Sequence, residues 1–266
     1  MKVLVVVQAR MGSSRLPGKV LLPLSGKTVL ERVVERIRAA RVAFEICVAT
    51  TAALEDEPIR SLARRLGVRV FAGHPTDLLD RHYRAGLSAG ADVVVKIPSD
   101  CPLIDPAVIE QVLGAYIERA GEFDFVTNLY PASWPDGNDV EVMPMRVLAT
   151  AHFEARGAFE REHTTPFVWQ RPEVFRIHNV RSSGLDLSST HRFTLDYEDD
   201  YALIESVYEA LFRPERPVFG LDEILPFLAR HPEILRKNVR YWGQTYASKP
   251  RLGSTALPAH QPGELT

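Results

Sequence analysis

Three cations are spaced through one short segment near the start of the chain, Gln8-Ala9-Arg10-Met11-Gly12-Ser13-Ser14-Arg15-Leu16-Pro17-Gly18-Lys19. Glycine lets a backbone turn tightly and brings N–H groups up to an anion. Arg10, Arg15 and Lys19 can neutralise several negative charges at once, which suits a polyphosphate better than a single phosphate. The segment is not a Walker loop. Five residues separate Gly12 from Gly18, one too many, and Val20 follows Lys19 where a hydroxyl would reach a metal ion. Gly26-Lys27-Thr28 has the right ending but Leu21 in place of the first glycine. The dinucleotide pattern G-x-G-x-x-G is absent here too.

Two acids extend the chemistry. Asp100 follows the apolar run Val93–Ile97 and lies in Ser99-Asp100-Cys101-Pro102-Leu103-Ile104-Asp105. Magnesium prefers one or two carboxylates with phosphate oxygens and water, so Asp100 beside a polyphosphate loop is a candidate ligand. The plainer reading is a turn-forming aspartate that caps local N–H groups. Asp105, before Pro106, reads as a helix N-cap. Asp196 closes Phe193-Thr194-Leu195-Asp196 and is the second candidate ligand. Glu198, Asp199 and Asp200 read as first-turn acids that complement a helix dipole. Further polar groups suit a hydroxylated substrate: Asp136, Asp139 and Glu141; Arg161, Glu162 and His163; and Asp80, Arg81 and His82. Solvated helix faces and turn chemistry explain these equally well. No Ser/His/Asp nucleophile motif and no His-Glu-x-x-His is present.

These residues need a scaffold, and the chain alternates strand and helix signals. Val3–Val7 is a buried strand leading into the basic loop. Val29, Leu30, Val33, Val34 and Ile37 fall at helical spacing. Strands follow at 44–49, 68–71, 93–97 and 123–127. Helices lie between them at 57–66, 77–89 and 106–119. Val140 to Met143 alternates as a half-exposed strand would. Helical patterns at 146–155 and 160–170, a strand at 175–180, a short strand at Phe193–Asp196, and helices at 198–211 and 221–230 complete the pattern. Such alternation predicts an α/β fold of three layers, a mainly parallel sheet with helices on both faces. Ligands of such sheets bind outside the carboxyl ends of the strands, where the basic loop and Asp100 both fall. Residues 1–245 are expected to form a single domain. Residues 129–190 are expected to be an insertion or lid, and 246–266, rich in proline and glycine, a loose tail.

Composition is that of an ordinary globular chain: 266 residues, 45% hydrophobic and 25% charged, with a net charge of -2. That balance argues against a general nucleic-acid binder, so attraction for anions must be local. Cys47 and Cys101 make neither a disulfide framework nor a zinc cluster. Arg10 interrupts the short apolar start, so no signal peptide is expected, and no apolar run has the length of a membrane span. A cytoplasmic enzyme is the expectation.

The run from Gln8 to Lys19 resembles the nucleotide-binding signature of the acylneuraminate cytidylyltransferases, within them the spore coat polysaccharide biosynthesis protein F type. Four more segments match in order: Asp77-Leu78-Leu79-Asp80-Arg81; Asp100 to Asp105; Pro135-Asp136-Gly137 with Asp139-Val140-Glu141-Val142; and Arg161-Glu162-His163 with Thr165-Pro166. The resemblance runs from Lys2 to about Leu211. It implies a nucleotide-diphospho-sugar transferase-like fold and the activation of a nonulosonic-acid-like sugar acid by CTP, with release of pyrophosphate, in surface polysaccharide biosynthesis. It implies that Gln8, Ala9, Arg10, Gly12, Ser13, Arg15, Lys19, Arg81 and Asp100 hold the nucleotide, with Arg10, Lys19 and Asp100 catalytic. It further implies that Asp100 and Asp196 bind Mg²⁺, that Asp136, Asp139, Glu141, Arg161, Glu162 and His163 meet the small acidic acceptor, and that the protein is a homodimer. Two departures stand out. Pro98-Ser99 replaces the usual Thr-Gly or Gln-Gly before the first aspartate, and Tyr197-Glu198 replaces Thr-Pro after the second. A glycosyltransferase using a finished nucleotide sugar and a non-catalytic nucleotide-binding module remain alternatives at this point.

Overall fold

Strand β1 (Val3–Gln8) runs through the middle of the sheet, and its alternation sorts the molecule into layers. Val3, Val5 and Val7 join one buried cluster, Leu4 and Val6 the other. In a computed structural model that describes residues 1–244, the elements follow in chain order. A small hairpin, β2 (Pro23–Leu24) and β3 (Lys27–Thr28), leads into α1 (Val29–Arg38). Then come β4 (Glu45–Thr51), α2 (Glu57–Arg65), β5 (Arg69–Gly73), α3 (Leu78–Ala89), β6 (Val93–Pro98), α4 (Pro106–Glu118) and β7 (Phe125–Thr127). The second half holds β8 (Glu141–Pro144), α5 (Met145–Glu154), α6 (Ala158–His163), α7 (Pro166–Trp169), β9 (Ile177–Asn179), α8 (Glu198–Leu211), α9 (Leu221–Arg230) and α10 (Pro232–Leu235).

The large sheet has seven strands in the order β5-β4-β1-β6-β8-β7-β9. Pairings among β5, β4, β1 and β6 are parallel, as is β7 with β9, while β8 runs antiparallel to both neighbours. Apolar residues of α1, α2, α4, α8 and α9 cover one face. Those of α3, α5 and α7 cover the other. The expected three-layer, mainly parallel architecture is therefore present. Caps fix several helix starts. Thr28 and Glu31 form a capping box on α1, Asp77 caps α3, and Asp105 caps α4 through Ala107 N at 2.8 Å.

Three local expectations need correction. The 140–143 strand is not half-exposed: β8 is buried along its length, because Val142 faces one core and Met143 the other. Segment 129–190 thus contributes β8 and β9 to the main sheet. The helix expected over 160–170 is two short ones, broken where Thr164 takes φ 73° and Pro166 begins the second. Phe193–Asp196 is not a strand but an extended segment. It is tied down by Phe193 N to Asp136 O at 2.7 Å and Leu195 N to Asp100 O at 2.8 Å. The tail expected at 246–266 lies outside the described residues.

Candidate active site

At the carboxyl end of β1 the chain enters the basic loop, which closes on itself. Gly18 N donates to Met11 O at 3.0 Å, with Gly18 in the left-handed region at φ 69°. Met11 N donates to Asp56 Oδ1 at 2.7 Å, which anchors the loop to the segment after β4. Lys19 emerges from this turn, and three distant pieces of sequence meet at its ammonium. Nζ lies 2.6 Å from Asp100 Oδ2, 2.9 Å from Asp196 Oδ1 and 2.7 Å from Leu195 O. Burial alone would lower the Lys19 pKa, but Asp100 and Asp196 raise it above its ordinary value. Arg15 Nη2 donates to the same Asp196 oxygen at 2.5 Å. The Arg15 guanidinium also lies 5.5 Å from the ring centroid of Tyr197, which stacks on Tyr241. The Tyr197 departure thus supplies a cation–π partner for a loop cation.

Behind Asp196 sits a buried guanidinium. Arg192 donates to Asp196 Oδ2 at 2.9 Å, to Asp136 Oδ2 at 2.8 Å and to Asp200 Oδ1 at 3.1 Å. Asp200 is fully buried and also accepts from the N–H groups of Asp196 and Tyr197. It is a first-turn acid of α8, as its position suggests, and it also accepts from Arg192. Lys19 and Arg15 hold the Asp196 carboxyl well below the usual range against the opposing effect of burial.

A cleft of about 240 Å³ opens over this cluster. Gln8, Arg15, Asp100 and Asp196 line it towards the loop. Asp136, Asp139 and His163 line it as well, beside Tyr130 and Trp134. Gly137 lets the segment 136–139 cross the backbone of Phe193 closely: its φ is 97°, and a Cβ there would stand 2.7 Å from Phe193 C. Asp136 accepts from Thr194 Oγ1 at 2.9 Å, and burial pushes its carboxyl up to about 6. Burial, with Asp136 and Glu141 nearby, pushes Asp139 up to about 8.

Other candidates from the sequence do not themselves line the cleft. Lys19 and Ala9 are buried beneath the cleft. Arg10, exposed, donates to Pro75 O at 3.3 Å. Gly12 is exposed and Ser13 half-buried, and Ser13 Oγ accepts from Leu16 N within the loop. Arg81 is buried, and its guanidinium grips His74 O at 2.6 Å and Pro75 O at 2.9 Å, so it shapes the turn beside Arg10 rather than lining the cleft. Glu141 is buried and ion-pairs with Lys96, while its other oxygen accepts from Thr165 Oγ1 at 2.6 Å. Arg161 pairs with Asp77 at 2.5 Å, tying α6 to the start of α3. Glu162 is exposed. At the Pro98-Ser99 departure, Pro98 lines the cleft and Ser99 is buried.

Sequence reasoning missed Arg192, Asp200, Lys96 and Asn128. Lys96 had a visible signal: it is the charge inside the apolar run Val93-Val94-Val95-Lys96-Ile97. Asn128 lines the cleft and clamps the 138–140 backbone through Asn138 O at 2.7 Å and Val140 N at 3.0 Å.

The donor chemistry fits a hard divalent cation. Asp100 and Asp196 close on one ammonium, and among the described residues no three His, Cys, Asp or Glu gather to hold a metal by themselves. Phosphate oxygens and water would complete such a sphere.

Fold and cleft together define a nucleotidyltransferase-like α/β protein. The chain belongs to the cytidylyltransferase family, whose sequence pattern matches residues 4–215. It is 27% identical to the spore coat polysaccharide biosynthesis protein SpsF of Bacillus subtilis, over 87% of this chain and 95% of that protein. A solved cytidylyltransferase of Leptospira borgpetersenii superposes with a TM-score of 0.83 at 30% identity, covering 92% of this chain and 98% of that one. An 8-amino-3,8-dideoxy-manno-octulosonate cytidylyltransferase of Shewanella sp. is 35% identical over 132 residues, 48% of this chain and 52% of that protein.

Proposed function

We propose that this cytidylyltransferase activates a sugar acid of the nonulosonic type with CTP, giving a CMP-sugar and pyrophosphate for surface polysaccharide biosynthesis. One observation carries the reading: Lys19 Nζ lies within 2.9 Å of both Asp100 and Asp196, beside Arg15. Cations that would suit a triphosphate and acids that would suit a divalent ion thus adjoin one cleft, which supports the reading. The names of the Bacillus and Shewanella relatives support the polysaccharide setting and the class of acceptor.

In this reading the hydroxyl oxygen of the acceptor attacks the α-phosphorus in line. An oxygen–phosphorus bond forms, the bond to the bridging oxygen breaks, pyrophosphate leaves, and the hydroxyl proton passes to solvent. Arg10, Arg15 and Lys19 bind the triphosphate and stabilise the charge that develops on the leaving pyrophosphate. The basic-loop backbone, including Gln8, Ala9, Gly12 and Ser13, cradles the nucleotide, and Arg81 braces the adjoining turn. Asp100 and Asp196 would hold Mg²⁺, which when bound supplies charge neutralisation on phosphate oxygens. Asp136, Asp139 and His163 meet the acceptor directly, while Glu141 orders the wall behind them; Arg161 ties α6 to α3, and Glu162 is exposed on the same helix. Action in the cytoplasm as a homodimer belongs to the same reading.

The test is pyrophosphate release from CTP with Mg²⁺ and a panel of sugar acids. Asp100→Ala should lower kcat by at least about 100-fold while the melting temperature stays near that of the parent. Full turnover by that variant would remove Asp100 from the mechanism.

A further inference from the structure

Most carboxylates around the cleft are already served. Asp196 has Lys19, Arg15 and Arg192; Asp100 has Lys19; Asp136 has Arg192 and Thr194; Glu141 has Lys96 and Thr165. Asp139 differs. It lines the cleft, its Oδ1 accepts from Gly137 N at 3.3 Å, and among the described residues no other hydrogen bond or ion pair reaches it. Two more polar atoms of cleft-lining residues are buried without a partner, Trp134 Nε1 and Gln8 Oε1. Buried polar groups left unpaired are costly, so such atoms are met by water or by a ligand.

The charge around Asp139 restricts that ligand. Burial, then Asp136 and Glu141, raise its proton affinity while Lys96 opposes them, and a second carboxylate would add to the same negative field. Lys96 and Arg192 are each engaged by acids of their own. An apolar substituent would leave Asp139 and the indole N–H unanswered. A hydroxyl or an amine answers the carboxyl, and Trp134 adds apolar surface to the same cleft.

We propose that Asp139 determines acceptor specificity: it receives a hydrogen-bond-donating substituent of the sugar acid, a hydroxyl or an amine, and rejects acceptors in which that substituent is missing or is a second acid. The proposal rests on the cytidylyl-transfer reading above and names which acceptors that transfer serves. Sites built to hydrogen-bond one substrate group discriminate strongly against analogues that lack it.

The experiment compares the parent chain, Asp139→Asn and Asp139→Leu with saturating CTP. Acceptors are a 2-keto-3-deoxy sugar acid, its amino analogue and its deoxy analogue, and CTP affinity is measured separately by calorimetry. The parent should favour the hydroxyl or amino acid over the deoxy analogue. Asp139→Leu should raise KM for the favoured acceptor at least about tenfold while the CTP Kd changes less than about twofold. The Asn variant separates the two sources. A bound ammonium draws the Asp139 carboxyl into its ionised form, so an amine loses at least about tenfold when that charge is removed, whereas a hydroxyl loses only a few-fold because the amide oxygen still accepts. A KM unchanged in both variants, or an equal loss for CTP, overturns the proposal. A parent chain that binds CTP but releases no pyrophosphate with any acid overturns the transfer reading itself, and this inference with it.

Discussion

Replacing Asp139 by Asn should remove a pH dependence from the stability of the fold. Burial raises this carboxyl from 3.8 to about 8, with Asp136 and Glu141 adding to the rise. In the unfolded chain it ionises near pH 4. Between about pH 4 and about pH 8 the folded chain therefore holds one more proton than the unfolded chain. Stability falls as pH rises across that window, by about 1.4 kcal/mol per unit for this one group. Asp136, raised to about 6, contributes the same sign but only in the lower half of the window. Imidazoles held low by full or partial burial, those of His82, His152 and His191, act with the opposite sign below about pH 6.5, where the unfolded chain gains their protons. The buried thiols of Cys47 and Cys101 are raised and act above about pH 9, where only the unfolded chain ionises them. The interval from about pH 7 to about pH 8 isolates Asp139. Across it the parent should lose about 1 kcal/mol, less than the full slope because the folded carboxyl itself begins to ionise there, equivalent to roughly 2–4 °C in Tm for a chain of this size. The Asn variant should stay flat. Urea unfolding and thermal scans at half-unit steps of pH measure this directly. Parallel curves for parent and variant across the interval would refute the reasoning.

Three further substitutions probe the scaffold. Arg192→Ala leaves Asp136, Asp196 and Asp200 without their shared guanidinium; a loss of about 3–5 kcal/mol in urea unfolding is expected, and a loss below about 1 kcal/mol would show the cluster relaxing into water. Gly137→Ala places a methyl against the backbone of Phe193 at a φ of 97°; it should destabilise by more than about 1 kcal/mol and cut turnover by displacing segment 193–196, and unchanged turnover counts against that coupling. Tyr197→Leu removes the ring beside Arg15; CTP affinity by calorimetry should fall a few-fold, in keeping with about 0.5–1 kcal/mol for an exposed cation–π pair. An unchanged affinity would remove Tyr197 from the nucleotide site.

Local patterns carried the fold a long way. Helices expected at 198–211 and 221–230 match α8 and α9 at both ends, because apolar spacing repeats within each turn of one element. Pro226 inside α9 did not shorten it. The short polar-flanked pieces were harder. Val140 to Met143 alternates in sequence like a strand with one wet face, yet β8 lies between β6 and β7 with both faces covered. No residue within that segment announces its neighbours.

The cleft divides in the same way. The types of residue in the basic loop, and an acid after β6, can be read from sequence because a strand followed by glycines and cations is a local arrangement. That Lys19 meets an aspartate 177 positions away is not local. Nor is Arg192, which looks like one more surface arginine until the fold sets Asp136, Asp196 and Asp200 around it. From its sequence alone, this protein's alternation of elements and its phosphate-seeking loop follow, since backbone and side-chain preferences act over a few residues. Which charges pair and which carboxyl stays open to a ligand was decided only by strand order and burial, since Coulomb energy and desolvation depend on distance in space.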